Sequence, residues 1–510
     1  MVFWAALPIA ILLFLLIYMR MTPLKAGSIS FAASIAVALA VFRSGAGGLL
    51  VTLGKGLALA ANIVLIIWAA VYLYNFVEET GAMGRIKSKV SGLIEDQFFQ
   101  FLMLTWLFTP LLQGIAGFGV PVAIVTGILV SMGFDPLKAV SASLVGHSWS
   151  VSFGSMGTSY YTMSLVTGLT YAQLGPWFVF FTGFAMFFTG LGISFIYGGT
   201  AVLKSAVFRV AIGTAVMTGA LYLTVAFGIV SISLIASSIT GIAAFLALSG
   251  KKGAPAPQAA GKSGSGEAMS FLLAISPYLL VMAMTVFLYF MPFKELGAGI
   301  DFPGYSTGLG YVVEPARAYA KFRLFSHPAP IILAASLASI VLFSSKGYWK
   351  RGAMGRISSK TVRKCLNTTY TLLCFIPMAI VMMDAGMMKE LSAAVAQLTG
   401  KFFPMVSPMI GALGSFITGS NTTSNVIFGK FQQMVAERLG ITAAMICAAQ
   451  SVGASVGCAL GPTQVLLGIT AAGLDNQAHM VYKRVLPLVL ITVILMGLPS
   501  IAFALLEKGY

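Results

Sequence analysis

Charge is what this sequence has least of. Only 9% of its 510 residues are Asp, Glu, Lys or Arg, against about 25% in a soluble chain that must cover its surface. Hydrophobic residues make up 58%, in apolar runs close to the ~20 residues that cross a hydrocarbon core. A soluble enzyme or binding module is excluded. No stretch alternates apolar and polar residues with the period of a strand, so a transmembrane β-barrel is excluded too, and helices remain. Acidic residues are the scarcest charges, 14 against 31 basic, for a net +17. That excess does not imply nucleic acid, because the basic residues lie in short loops between spans, the positive-inside pattern of a helical membrane protein. Cysteine is sparse, and Cys365, Cys374, Cys447 and Cys458 form no CxxC pair, which excludes a disulfide scaffold or a zinc site. Met1–Tyr18 is apolar without a basic leader or a small-residue cleavage site, so a retained first span is expected.

Proline and glycine interrupt two of the apolar runs. Segment 115–133 contains Gly117, Gly119, Pro121 and Gly127, and segment 441–474 contains Gly453, Gly457, Gly461 and Pro462. Breaks at such residues free backbone groups that lipid cannot satisfy, so these stretches must line protein or a wet cavity. Residues 250–268 form a Gly/Ala/Pro/Lys linker, a composition that does not pack. Loop 293–327, of mixed charge, reads as a solvated connection rather than a lid.

The two halves match. Glu79–Gly81 aligns with Asp384–Gly386 and Gln113–Gly114 with Thr418–Gly419 at an offset of about 305, and Phe153–Gly154 with Leu460–Gly461 at about 307. Both copies run span, charged turn, span, broken segment, broken segment. Loop 344–364, with seven Lys and Arg, must be cytoplasmic. Counting spans from it puts the first copy's entry at 57 outside and the second's at 366 inside, so the repeats are inverted. The fold class expected is an all-α polytopic membrane protein of about 12–14 transmembrane helices in two inverted repeats, with broken or hairpin helices at mid-membrane. Its divisions are N-terminal spans 1–56, repeat 57–167, connecting spans 168–249, linker 250–268, connecting spans and loops 269–365, repeat 366–475 and a final span 476–510. Both termini are expected outside.

Inverted repeats with broken helices are the architecture of alternating-access carriers. A half-helix beginning inside the membrane presents free N–H groups and the positive end of its dipole, which attract a carboxylate. Gly114, Gly117 and Gly119 would let a substrate approach the backbone, with Phe118 and Trp149 as rings that shape the pocket or simply pack. The matching Thr418-Gly-Ser-Asn-Thr-Thr-Ser-Asn425 is polar in an apolar neighbourhood, and a buried polar cluster without partners is costly. Ser420, Asn421, Thr422, Ser424 and Asn425, with Gln113, suit a small anion bearing a hydroxyl. The plainer readings are close helix packing by small residues and an N-cap at Asn421 or Thr422.

Ionisable groups within spans are expensive and usually functional. His147 can cycle protons near neutral pH, or be a neutral ring bonded to Ser148 or Ser150. Asp384 follows an apolar run and is expected at the membrane surface, with proton coupling as the alternative. Lys430 reads as a snorkelling side chain, with a substrate counter-charge as the alternative.

LLQGIAGFGVPVAI (111–124), MGFDPLKA (132–139), GHSWSVSFGSMG (146–157) and ITGSNTTSNVIFGKFQ (417–432) resemble the lactate permease family over most of the chain, least around 250–330. The resemblance implies uptake of lactate, and often glycolate, with protons through the bacterial inner membrane. The sequence departs from the family pattern in three places, one of them His147-Ser-Trp-Ser150, where the family has an Asn-Thr-Ala-Pro run. Gln113 stands where the family has Glu, and Asn421 where it has Asp, so proton coupling does not carry over at those positions. Ser420-Asn421-Thr422 also resembles the Ser-Asn-Thr signature of divalent-anion sodium symporters, which keeps sodium coupling open. An enzyme is not expected, since no nucleophile has a base at hand, and neither a metal nor a cofactor is implied.

Overall fold

The computed structural model describes residues 1–19, 21–91, 96–115, 120–249, 269–289, 291–292, 296–474 and 477–508. The first half contains α1 (Val2–Ile17), α2 (Pro23–Ala40), α3 (Ala46–Glu79), the amphipathic α4 (Ala82–Ser91) and α5 (Gln97–Leu102). A π-helical stretch, Met103–Phe108, leads into α6 (Thr109–Ile115), followed by α7 (Val120–Ser131), α8 (Pro136–Ser148), α9 (Gly154–Thr167), α10 (Tyr171–Ala226) and α11 (Ser233–Ser249). The second half opens with α12 (Phe271–Tyr289) and an insert of four short strands, β1 (Gly297–Phe302), β2 (Tyr305–Ser306), β3 (Val312–Val313) and β4 (Ala316–Arg323). It continues with α13 (Pro328–Ser345), α14 (Ala353–Asp384), the amphipathic α15 (Met387–Thr399), α16 (Phe403–Thr418), α17 (Asn421–Leu439), α18 (Ala443–Gly457), α19 (Pro462–Ala471) and α20 (Ala478–Lys508). Among the described residues, eight helices are long and apolar enough to cross a membrane, and three shorter apolar ones accompany them.

Helix starts follow local chemistry. Proline occupies the first turn of α2, α8, α13 and α19, where its missing N–H has no intrahelical partner to lose. Asp135 caps α8 by accepting from the Lys138 amide at 2.8 Å, and Thr170 with Gln173 forms a capping box on α10. Helices α9, α16 and α17 stop at left-handed Gly168, Gly419 and Gly440, a conformation that glycine alone adopts cheaply.

Helices of matching spacing also flank the expected repeats 57–167 and 366–475. Helices α2 and α13 are both 18 residues long and begin at Pro23 and Pro328, 305 residues apart. Helices α10 and α20 begin at Tyr171 and Ala478, 307 apart. At the centre, α3 and α14 pack antiparallel: Trp68 meets Thr369, Asn75 meets Thr361 and Lys364, and the start of each helix faces the end of the other.

Within the expected connecting spans 168–249, Tyr171–Ala226 is two helices joined across a kink at Gly198 and Gly199. Two expectations differ from what is observed. Helix α14 starts at Ala353, so Arg356, Lys360, Arg363 and Lys364 sit on its first turns rather than in a loop. The 293–327 connection is not simply solvated. Its described part pairs β1 with β4 and β2 with β3, and its rings lie where glycines leave room: Phe302 against Gly54, Tyr305 against Gly48, Tyr311 against Gly386. Linker 250–268 lies outside the described residues.

Candidate functional site

Helix breaks from both halves converge. The first copy breaks between Ser148 and Gly157, where Ser155, Met156 and Gly157 are consecutively left-handed (φ 47°, 57° and 80°). Two non-glycine residues in that region cost roughly 1–2 kcal/mol each, strain of the kind that gathers at functional sites. The second copy breaks at Gly419–Ser420 and at Cys458–Gly461. Helices α8 and α18 end here with their carbonyls, while α17 and α19 begin here with their N–H groups, so opposite helix-dipole ends face one region.

Hydroxyls and amides stitch the breaks together. The Ser455 hydroxyl donates to the Ser148 carbonyl and accepts from the Ser152 amide at 3.2 Å. Asn421 donates to Ser152 Oγ at 3.2 Å, and Thr422 Oγ1 lies 3.0 Å from Ser159 Oγ. Asn425 Nδ2 donates to the Ser159 carbonyl at 3.0 Å and to Ser451 Oγ at 2.9 Å. Ser424 donates to the Gly411 carbonyl at 3.0 Å and receives Gln450 Nε2 at 3.3 Å. The N-cap of α17 is Ser420, which accepts from the Thr423 amide at 3.2 Å. Asn421 and Thr422 are thereby free of capping and reach across to the first copy.

Several buried polar atoms have no hydrogen-bond partner, and in folded proteins such atoms are few and call for a reason. They include Gln113 Oε1, Asn425 Oδ1, Gln450 Oε1 and His147 Nδ1. The Asn425 orientation is fixed, since a carbonyl only accepts and the amide nitrogen must face Ser159. Its oxygen is therefore a free acceptor. Gln113 lies against Gly154, where a β-carbon would come within 2.5 Å of its amide nitrogen.

Of the residues singled out from the sequence, Ser420, Asn421, Thr422, Ser424 and Asn425 share one cluster with Ser152, Ser159, Gln450 and Ser451, which sequence reasoning missed. Gln113 and Gly114 lie on α6, Gln113 against Gly154 of the first break and Gly114 against Leu234 and Ile235. Gly117, Phe118 and Gly119 lie outside the described residues. Trp149 is fully buried, and its indole donates to the Trp106 carbonyl at 3.3 Å. His147 is buried in the last turn of α8, but Ser148 and Ser150 spend their hydroxyls on the Val145 and His147 carbonyls, not on the ring. Lys430 bonds the Thr167 carbonyl and Gln433.

Asp384, the last residue of α14, is buried within the protein. It is 7% exposed and takes the Lys55 ammonium at 3.2 Å and the Thr52 hydroxyl at 2.9 Å. Burial followed from α3 beginning at Ala46, eleven residues before the expected span, which sets Lys55 and Thr52 opposite the end of α14.

Paired helix breaks around a neutral polar centre, in a helical multi-pass membrane protein, are the architecture of a transporter. Comparison with known proteins gives the family. The family model described as L-lactate permease matches residues 2–506, and the chain belongs to that family. It is 28% identical to the L-lactate permease of Escherichia coli over 508 residues, covering 94% of this chain and 91% of the relative. It is 30% identical to that of Streptococcus iniae over 390 residues, covering 74% and 78%. It is also 25% identical to the glycolate permease GlcA of Escherichia coli, covering 99% and 96%. Among solved structures, the YdaH transporter of Alcanivorax borkumensis shares the fold at a TM-score of 0.50 and 14% identity, over 95% of this chain and 99% of that one.

Proposed function

We propose that this chain imports a short 2-hydroxymonocarboxylate, lactate and with it glycolate, through the bacterial inner membrane with a proton. The names of its relatives support the substrate class. The observation that carries the reading is the unpartnered Asn425 Oδ1, in the first turns of α17. A carboxylate takes donors from the helix N-terminus and the Ser and Thr hydroxyls. A free acceptor needs a donor, and the 2-hydroxyl of the substrate is one. Gln113, Gly114, Gly117, Phe118, Gly119, Ser420, Asn421, Thr422, Ser424 and Asn425 form the site in this reading, with segments 57–167 and 366–475 as its two halves and both termini outside.

Sites built to bond a hydroxyl reject analogues that lack it. In proteoliposomes, unlabelled lactate should inhibit uptake of labelled lactate, and propionate, which lacks the hydroxyl, should not. Equal inhibition by both would remove the role given to Asn425. His147 and Asp384 are the coupling candidates. A second reading, sodium symport, is favoured by the neutrality of Ser420, Asn421 and Thr422, whose oxygens suit a cation cage. Uptake that follows a sodium gradient and ignores a pH gradient would establish it.

A further inference from the structure

Sequence and structure together single out one ion pair. Lys55 and Lys360 are 305 residues apart, as are Glu79 and Asp384. The antiparallel packing of α3 and α14 turns these four residues into two symmetry-related pairs, Lys55–Asp384 at 3.2 Å and Lys360–Glu79 at 2.8 Å. They are chemically unequal. Glu79 also takes Arg356 at 2.6 Å, and both cations there are nearly half exposed. Lys55 and Asp384 are each 5% exposed in their side chains and, among the described residues, have no second counter-charge. A buried pair of this kind contributes little to stability, and charge within a span is retained where it has work to do.

A directed hydrogen-bond chain leads from the strand insert to the buried carboxylate. Thr52 has one hydroxyl hydrogen and gives it to Asp384 Oδ2 at 2.9 Å. Its oxygen, 2.6 Å from the Tyr305 phenol, must then accept from Tyr305. Tyr305 is partly exposed and its ring occupies the space left by Gly48. The groups facing Asp384 are Lys55 and Thr52 from α3 and Tyr305 from the insert, with the Tyr319 ring 6.0 Å from the Lys55 ammonium. On α15, Glu390 accepts from Tyr311 at 2.8 Å and Lys389 lies over the Tyr311 ring, so both charges next along the chain are engaged away from Asp384.

We propose that Asp384 is the group that accepts the transported proton, that Tyr305 and Thr52 deliver it from the insert face, and that Lys55 is its electrostatic partner. This rests on the proton-symport reading above. A hydronium ion at the insert face gives a proton to the Tyr305 oxygen and becomes water, as Tyr305 passes its own to Thr52 and Thr52 passes its own to Asp384. One O–H bond forms at the carboxyl, Tyr305 and Thr52 end unchanged, and the chain must reorient before the next transfer. Protonation leaves the Lys55 charge unpaired, and the charge of one monocarboxylate restores neutrality, giving one proton per anion. With loop 344–364 inside, α14 ends outside, and the insert opens to the side from which protons enter.

The test uses the full chain in proteoliposomes, with labelled lactate, in two assays: accumulation driven by a pH gradient, and lactate exchange without one. Asp384→Asn should lose at least tenfold in driven accumulation and keep exchange. The double variant Lys55→Gln with Asp384→Asn, which leaves no unpaired buried charge, should do the same and guards against misfolding of the single variant. Tyr305→Phe and Thr52→Val should slow driven uptake severalfold with exchange intact, and Thr52→Ser should restore the rate. Glu79→Gln, at the exposed pair, should change neither. Driven accumulation by Asp384→Asn equal to wild type overturns the assignment alone, as does a Glu79→Gln variant that behaves like Asp384→Asn. Wild-type protein that exchanges lactate but ignores the gradient overturns proton symport and this proposal with it. Absence of exchange in the wild type overturns the substrate.

Discussion

Gly154→Ala tests whether Gln113 binds substrate. A β-carbon at Gly154 would lie 2.5 Å from Gln113 Nε2, 2.9 Å from Cγ and 3.1 Å from Cδ. Carbon contacts settle at about 3.5–4.0 Å, so the amide must retreat by about 1 Å. A hydrogen bond to a ligand tolerates only a few tenths of an ångström, and one made to a charged group contributes about 1.5–3 kcal/mol. At ~1.4 kcal/mol per decade, the KM for lactate should rise about 10- to 150-fold. Overpacking itself costs about 1–3 kcal/mol of stability, so thermal unfolding in detergent is measured alongside transport. The double variant with Gln113→Ala separates the two effects. If Gly154→Ala acts by displacing Gln113, it costs nothing further once that side chain is gone. A wild-type KM for Gly154→Ala, or full additivity in the double variant, would refute a binding role for Gln113.

Gly453→Ala should destabilise the protein by about 1–3 kcal/mol, because its β-carbon would run into the Pro408 backbone where α16 crosses α18. Gly47→Ala, whose β-carbon meets nothing within 4 Å, should be neutral or slightly stabilising, and detergent unfolding temperatures compare the two. His327 caps α13 through Nδ1, which accepts from the Ala329 amide at 3.3 Å, and burial lowers its pKa to about 4. The folded ring stays neutral while the unfolded one takes a proton near its ordinary value of about 6.5, so stability should fall as pH drops from about 6.5 and level off near 4. His327→Asn keeps a capping oxygen and should flatten that slope in pH-dependent unfolding.

Much of this was legible in the sequence. The spans show because lipid leaves few alternatives to apolar runs. The repeat shows because a constant offset of about 305 survives wherever turns need the same glycines, as at Gly81 and Gly386. The polar run at 418–425 shows because hydrogen-bonding side chains stand together in an otherwise mostly apolar stretch. The partners did not show. Ser and Thr in helices often bond a carbonyl of their own turn, as Thr162 does with Thr158, and sequence does not tell such a residue from Ser152 or Ser159, which reach the other repeat. Lys55 was hidden for a different reason. Gly45, Gly47, Gly48, Gly54 and Gly56 make 43–56 look like a loop, yet α3 runs through it. Rings of the insert and Pro377 of α14 fill the grooves those glycines leave, a tertiary gain that outweighs their low helix propensity. Lys360 at the matching position was the one clue.

On the proposed reading recognition and coupling are separated, and Gln113→Glu shows why that matters. The amide cluster is neutral, so a carboxylate entering it meets dipoles and no like charge. The acid proposed to take protons is Asp384, already matched by Lys55. A carboxyl at 113 would bring both tasks to one place. Ionised, it would face the substrate anion, and two like charges about 4 Å apart at an effective dielectric near 20 repel by about 4 kcal/mol, close to a thousandfold in affinity. Protonated, it would repel nothing and could donate to the substrate. Lactate exchange by Gln113→Glu should therefore collapse at alkaline pH and recover on acidification, whereas wild-type exchange, through a neutral site, should vary far less. Exchange does not require net proton movement, so the comparison isolates binding. If the two proteins have the same pH profile, residue 113 does not face the anion, and the substrate lies elsewhere among the helix breaks.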